Sequence, residues 1–275
     1  MKTQVFFDTI TNQIVEALKT GTPPWRKSWS GLGLPSNALS RQAYSGVNLF
    51  SLWSKESTTN YWLTYKQALS LGGNIKAGSK GRPVIYAGKT KKTNDEGDDV
   101  SFHFLKVYYV FNIDQTENID WNHLIQAQHI NPDTRDAATD RAIQKTGARI
   151  VEGLGEPCYF PAEDAIRMPR FSYFESKQQF YATLFHELGH WTGHASRLNR
   201  DLKNRFGSQA YAAEELVAEF ASAFMAAHYG YVAPEIRHAS YIESWIKLLR
   251  DNNRAILTAS SAASKAANFV FKAAQ

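Results

Sequence analysis

The sequence predicts an α+β protein in two parts: a basic α+β part over residues 1–125, and a mostly helical part with a small sheet over 126–275. Three observations carry this reading. Strand-like runs and short helical patterns mix in the first part, whereas long segments of helical period dominate the second. Charge divides the same way. Residues 1–93 hold 13 Lys and Arg against only Asp8, Glu16 and Glu56, and residues 94–275 carry five more acids than bases. Between Asn112 and about Pro132 the hydrophobic pattern fades, which marks the connection.

The elements follow in order. Val5, Phe6, Ile10, Ile14, Val15 and Leu18 repeat at helical spacing, and Gly21 with Pro23 and Pro24 ends that helix. Residues 24–46 are rich in Gly, Ser and Pro and read as loop. YWLTYKQALSLGG (61–73) reads as a short helix stopped by paired glycines. RPVIYAG (82–88) and SFHFLKVYYVFN (101–112) read as strands joined by a polar turn over 89–99. The second part opens with a helix near 136–147 and two extended segments, ARIVEG and PCYFPAEDAIRMP. A helix then runs through SKQQFYATLFHELGHWTGH. Ser176 and Gln179 supply a capping box at its start, and Gly193 a stop. QAYAAEELVAEFASAFMAAHYG (209–230) is a second strong helix, ended by Gly230 and Pro234, and the last 40 residues are helical with an Ala-rich end.

Composition excludes several classes. With 43% hydrophobic and 21% charged residues, 275 residues build an ordinary globular core without staples. The single Cys158 rules out an internal disulfide and a cysteine-rich metal cluster, and fits a reducing compartment. Asp8, Asn12 and Glu16 interrupt the N-terminal apolar pattern, so it does not read as a signal peptide, and no run of 18 apolar residues reads as a membrane span. The expectation is a cytoplasmic protein with no membrane partner.

HELGHWTGH (186–194) carries the chemistry. His186 and His190 share one helix face and can converge on a cation, while Glu187 can reach a water on that cation as general base. One Zn²⁺ is the expected ion, with other divalent metals possible. A third ligand is still needed. A returning histidine in the metzincin pattern would fall at Ser196, and His194 on a continuing helix would lie ~12 Å along the axis from His186. His194 therefore reads as a helix-end residue that interacts with the helix dipole. The next helix offers Glu214, Glu215 and Glu219 among Ala212, Ala213, Ala218 and Ala221, small residues that let two helices approach. Glu215 is the favoured ligand and Glu219 the residue orienting a histidine behind it, with the reverse assignment open. This is the gluzincin arrangement, and it makes the chain a candidate zinc metallopeptidase acting on an unidentified protein or peptide.

The first 93 residues add eleven aromatics to their basic excess. Trp25, Arg26, Lys27 and Trp29, then Tyr44, then Lys76, Lys80 and Arg82 alternate rings and cations as single-stranded nucleic acid requires, with bases on rings and phosphates on cations. Trp53 and Trp62, beside Leu52 and Leu63, read as core instead.

The segments PPWRKSW, AYSGVNLFSLW, YWLTYKQALSLGGNIKAGSKG, FHFLKVYYVFNIDQTE, HELGHWTGHASRLNRD and YAAEELVAEFASAF, in this order, resemble the ArdC-type antirestriction proteins, relatives of the N-terminal region of TraC-type primases. The resemblance runs from near residue 5 to about residue 250. It implies an N-terminal single-stranded DNA-binding domain and a C-terminal zincin-like metallopeptidase domain. It also implies a role in conjugation, protecting incoming plasmid DNA from restriction. His186 and His190 match the family's histidine ligands, Glu187 its catalytic glutamate, and EELVAE supplies the acidic ligand. The rival expectation is a DNA-coating or decoy protein whose metal site is structural or vestigial.

Overall fold

The computed structural model describes residues 2–20, 33–53, 59–93, 99–121, 123–124, 134–153, 155–202, 208–231, 239–252 and 254–275. Helix α1 (Thr3–Lys19) buries Phe6, Phe7, Ile10, Ile14, Val15 and Leu18, the stripe that the spacing predicts, and leaves Val5 exposed. Strand β1 (Ser36–Asn37) and the one-and-a-half-turn helix α2 (Val47–Leu52) follow, the latter an element the periodicity does not predict. The expected helix over 61–73 is divided: Tyr61–Leu63 form strand β2, and only Tyr65–Ser70 form helix α3. The reason is local and long-range at once. Thr64 caps α3 with a reciprocal Thr64–Gln67 box, while Trp62 and Leu63 pair with Asn112 and Phe111 some 50 residues away.

After β3 (Asn74–Ile75), strands β4 (Arg82–Thr93) and β5 (Asp99–Asn112) form a long antiparallel ribbon with Arg82 opposite Val110 and Thr93 opposite Asp99. Much of the polar segment expected as a turn is therefore ladder. Strand β6 (Thr116–Glu117) pairs with β3, and the main N-terminal sheet has the order β1-β2-β5-β4. The expected boundary at 125/126 falls within 125–133, outside the described residues.

The second part begins with α4 (Ala137–Lys145) and a three-stranded sheet, β7 (Arg149–Gly153), β8 (Cys158–Phe160) and β9 (Ala165–Pro169), in the order β7-β9-β8. Strand β9 runs parallel to β7 and antiparallel to β8, which leaves β8 at the edge. Helices α5 (Lys177–Trp191), α6 (Gln209–His228), α7 (Ala239–Asp251) and α8 (Ala255–Ala273) complete the chain. Ser176 takes the Gln179 N–H as expected, but the Gln179 side chain accepts the N–H of Glu175 and not that of Ser176, so half the box forms. Trp53 and Trp62 are buried, as expected.

One apolar cluster joins both parts. Phe50 of α2 lies 4.5 Å from Phe220 of α6, and Trp53 lies 5.7 Å from Phe224, ring centre to ring centre. Each of these buried aromatic side chains contributes about 1.5–3 kcal/mol by leaving water. Among the described residues no helix is long and apolar enough to cross a membrane.

Candidate metal centre

Helices α5 and α6 cross where Gly189 meets Ala218. A Cβ on Gly189 would stand 3.1 Å from the Cα of Ala218 and 3.3 Å from its carbonyl oxygen, so the backbones touch at this point. Ser222 Oγ, one turn further along α6, donates to the Ala182 carbonyl at 2.8 Å and fixes the register of the crossing. One turn to the other side, His186 and His190 of α5 face Glu215 of α6.

The three side chains converge closely. The two Nε2 atoms are 3.2 Å apart, and each lies 3.5 Å from a different oxygen of Glu215. Every pair of donor atoms in this trio is within 4.8 Å. Glu219 Oε2 stands 3.7 Å from His186 Nδ1, and Glu214 Oε1 stands 3.2 Å from His190 Nδ1. Each imidazole thus has a carboxylate behind it. The Tyr211 hydroxyl bonds Glu215 and lies 3.3 Å from the Tyr241 hydroxyl of α7. Burial raises the Glu215 carboxyl, but its bond to His186 and the charges of both histidines outweigh this and hold it at about 2. Burial likewise works against a charged His186, and Glu215, Glu219 and Glu187 together lift its pKa well above the ordinary value.

Glu187 is buried beside the trio, where its Oε2 accepts the backbone N–H of Tyr159, on edge strand β8, at 2.8 Å. The hairpin that carries Tyr159 is itself pinned. Asp164 accepts from the Tyr159 hydroxyl at 2.8 Å and from Arg197, whose guanidinium lies 3.9 Å from the Trp191 ring centre and also donates to the Trp191 carbonyl. Pro157, Cys158, Tyr159, Tyr211 and Tyr241 join the histidines and glutamates around a cavity of about 270 Å³.

Two residues that the sequence reading does not select complete the surroundings. Glu214 is one. Arg200, in the loop after α5, is the other: it donates to both oxygens of Glu214 at 2.8 and 2.9 Å, to the Gly189 carbonyl and to Thr192 Oγ1. Gly193, expected as the helix stop, serves this loop, because a Cβ there would come within 2.9 Å of Arg200 Nη2. A glutamate on the buried stripe of α6 needs a cation, and that requirement was the available sequence signal. Arg200→Ala should free Glu214, loosen His190 and weaken divalent-ion binding roughly 10–100-fold, with the fold retained. Titration with a metal-competing chromophore checks it, and unchanged affinity would remove Arg200 from the centre. His194 stands apart, bonding Ser196 Oγ at 2.8 Å just past the helix end.

Of the expected nucleic-acid residues, Trp25, Arg26, Lys27 and Trp29 lie outside the described residues. Lys76 and Lys80 gather at the turn 113–115, where Lys76 Nζ donates to the Asp114 carbonyl and the Lys80 carbonyl accepts from Gln115. Arg82 opens β4 opposite Val110. Tyr44 is half-buried in a different place, a cleft between the β4–β5 ribbon and α8.

Comparison with known proteins covers both parts. Residues 5–111 match the N-terminal domain of anti-restriction factor ArdC, and residues 137–262 match the zincin-like metallopeptidase family. Two DNA primases TraC of Escherichia coli are each 33% identical over 96% of this chain, which spans only 20% and 27% of their length. The uncharacterized protein y4eC of Sinorhizobium fredii strain NGR234 is 33% identical, with 96% of this chain and 91% of that protein covered. Two crystal structures of the antirestriction ArdC protein from plasmid R388 are 34% identical and cover 98% of this chain and 97% of theirs. The metal-free one superposes with a TM-score of 0.85 and the Mn(II)-bound one with 0.82. Matched along its whole length by a solved relative of the same size, and carrying both family domains in the same order, this chain belongs to the ArdC antirestriction family.

Proposed function

We infer that this protein holds one divalent cation between His186, His190 and Glu215, with zinc the natural choice for two imidazoles and a carboxylate, and uses Glu187 beside it to hydrolyse peptide bonds. The chain also binds single-stranded DNA, and its task is to protect incoming plasmid DNA from restriction during conjugation. The observation that carries the metal assignment is the trio's donor chemistry. With Glu214 taking the Nδ1 hydrogen of a neutral His190, Nε2 keeps a lone pair, and that atom lies 3.2 Å from His186 Nε2 and 3.5 Å from Glu215. Such a set repels itself unless a cation or a proton sits among its members. The separations of 3.2 and 3.5 Å match the ~3.3 Å edge of a tetrahedron built on bonds of about 2.0–2.1 Å. The relative from plasmid R388 is known with Mn(II).

A cation held there supplies Lewis acidity, polarising a carbonyl and acidifying a water. The chain's own residues do the rest. The Tyr159 N–H fixes one oxygen of Glu187 and leaves Oε1 to take a proton from water and hand it to the leaving amine. Glu214 and Glu219 keep the imidazoles aimed, and Tyr211 steadies the Glu215 carboxylate.

One observation favours a second reading, in which the protein shields DNA without cutting protein. Strand β8 is three residues long between Pro157 and Pro161, and the Tyr159 N–H is already given to Glu187, so little ladder is left for an extended substrate. Glu187→Gln separates the two. It should keep fold, metal content and oligonucleotide binding, and lose hydrolysis of an unfolded protein substrate by at least ~100-fold. If plasmid transfer into a restricting recipient stays fully protected by this variant, proteolysis is not the protective step.

A further inference from the structure

The β4–β5 ribbon carries a row of exposed rings. Tyr86, Phe104 and Tyr108 are 56%, 40% and 40% exposed, and the pairing of Tyr86 with Lys106 and of Gly88 with Phe104 puts all three on one ribbon face. Tyr86 lies 6.3 Å from each of the other two ring centres, tilted or edge-on, so it stacks face to face with neither. Gly88 matters here: a Cβ on it would meet the Phe104 ring at 2.3 Å, so the missing side chain lets that ring lie across the strand. Lys106 holds its ammonium 5.2 Å from the Tyr108 ring centre.

Facing part of this row across a cleft of about 730 Å³ is helix α8. Its exposed residues Thr258, Ser261, Lys265, Asn268 and Lys272 recur at intervals of three and four, a single stripe of hydroxyl, amide and ammonium groups. The helix contains no acid, and among the described residues no Asp or Glu lines the cleft. Tyr44 stands at its wall with Tyr86 and Tyr108. The walls are tied together: Ser264 of α8 accepts the Gly46 N–H at 2.7 Å, and Asn48 both donates to the Ile85 carbonyl and accepts its N–H.

We propose that this cleft is the path of single-stranded DNA, with bases stacked on Tyr86 and Tyr108, Tyr44 at the wall, and phosphates met by Lys265, Ser261 and Asn268. Solvent-exposed rings that do not stack on one another bind unpaired bases, which a duplex keeps stacked together. Cations and hydroxyls at helical intervals meet a phosphate backbone whatever its sequence. The acid-free lining supplies the charge complement, and the volume lies in the usual ligand range of ~300–1,000 Å³. The inference rests on the DNA-binding reading above. It moves the contact surface from the N-terminal part alone to the junction with the last helix, which packs on α6 of the metal centre.

The test uses the full chain and a fluorescein-labelled oligothymidine of about 20 nucleotides, followed by anisotropy at two salt concentrations. Tyr86→Ala and Tyr108→Ala should each weaken binding roughly five- to a hundredfold, and Tyr86→Phe should not. Lys265→Gln should flatten the slope of log Kd against log salt by about 0.7. Tyr173→Ala, an exposed tyrosine on the peptidase side, serves as control and should leave Kd unchanged. If the wild type binds and both alanine variants stay within twofold of the Tyr173→Ala control, the cleft is wrong and DNA binding stands. If the wild type fails to bind at low salt, the DNA-binding reading fails, and this proposal with it.

Discussion

Glu215→Ala should strip the protein of its divalent ion. Removing Glu214 or Glu219 takes away a partner standing behind a histidine, a change worth roughly 10–100-fold in affinity. Removing Glu215 takes away one of three donors that face one another, and the expected loss exceeds that range. It leaves two imidazole nitrogens 3.2 Å apart in a buried pocket with nothing to share but a proton. Metal content after dialysis against a weak chelator reads the result directly, with thermal unfolding beside it. The wild type should gain several degrees on adding zinc, since a ligand at 100 times its Kd adds about 2.7 kcal/mol, and Glu215→Ala should gain none. A Glu215→Ala protein that keeps stoichiometric metal while Glu219→Ala loses it would exchange the roles of the two glutamates.

Gly189→Leu carries the largest expected cost in stability. Even the first added carbon reaches 3.1 Å from the Ala218 Cα, and the rest of a leucine has no room between α5 and α6. Overpacking of this kind costs about 1–3 kcal/mol and at times more, which for a domain of this size lowers Tm by roughly 2–4 °C per kcal/mol. The damage should reach the metal centre, because the helices can part only by carrying Glu215 away from the histidines. Gly189→Ala should be mild, since a few tenths of an ångström and a better helix former offset each other. Ala218→Gly should not rescue Gly189→Leu, because the nearest obstacles are the Cα and carbonyl oxygen of residue 218, which every residue has. Rescue would mean that side-chain packing, and not backbone contact, sets the crossing.

The convergence of His186, His190 and Glu215 is readable in the sequence because helical period decides which of HELGH and EELVAE share a face. The same period could not choose between neighbours. Glu214 and Glu215 differ by about 100° around an α-helix, and only the crossing at Gly189 and Ala218 turns one toward the two Nε2 atoms and the other behind His190. Arg200 comes from the loop after α5, where no period operates, so its role needed the chain path. In the N-terminal part, β2 was hidden because its partners lie some 50 residues away, and α2 because six residues are too few to show a pattern. The ribbon looked shorter than it is because its distal residues are polar. Its exposed rings read in the sequence as ordinary strand residues, because alternation alone does not say which face meets solvent.

Phe50 and Trp53, in the basic part, rest against Phe220 and Phe224 on the helix that carries Glu214, Glu215 and Glu219. That contact bears on how such a gene can be inherited. A recombination joint placed between the two parts would hand the recipient a zincin-like domain with Phe220 and Phe224 uncovered on its central helix, and an ArdC-type N-terminal domain missing part of its floor. The shared contact favours copying the two parts into a larger gene as one piece. The TraC primases fit this rule: each matches nearly the whole of this chain within a protein several times as long.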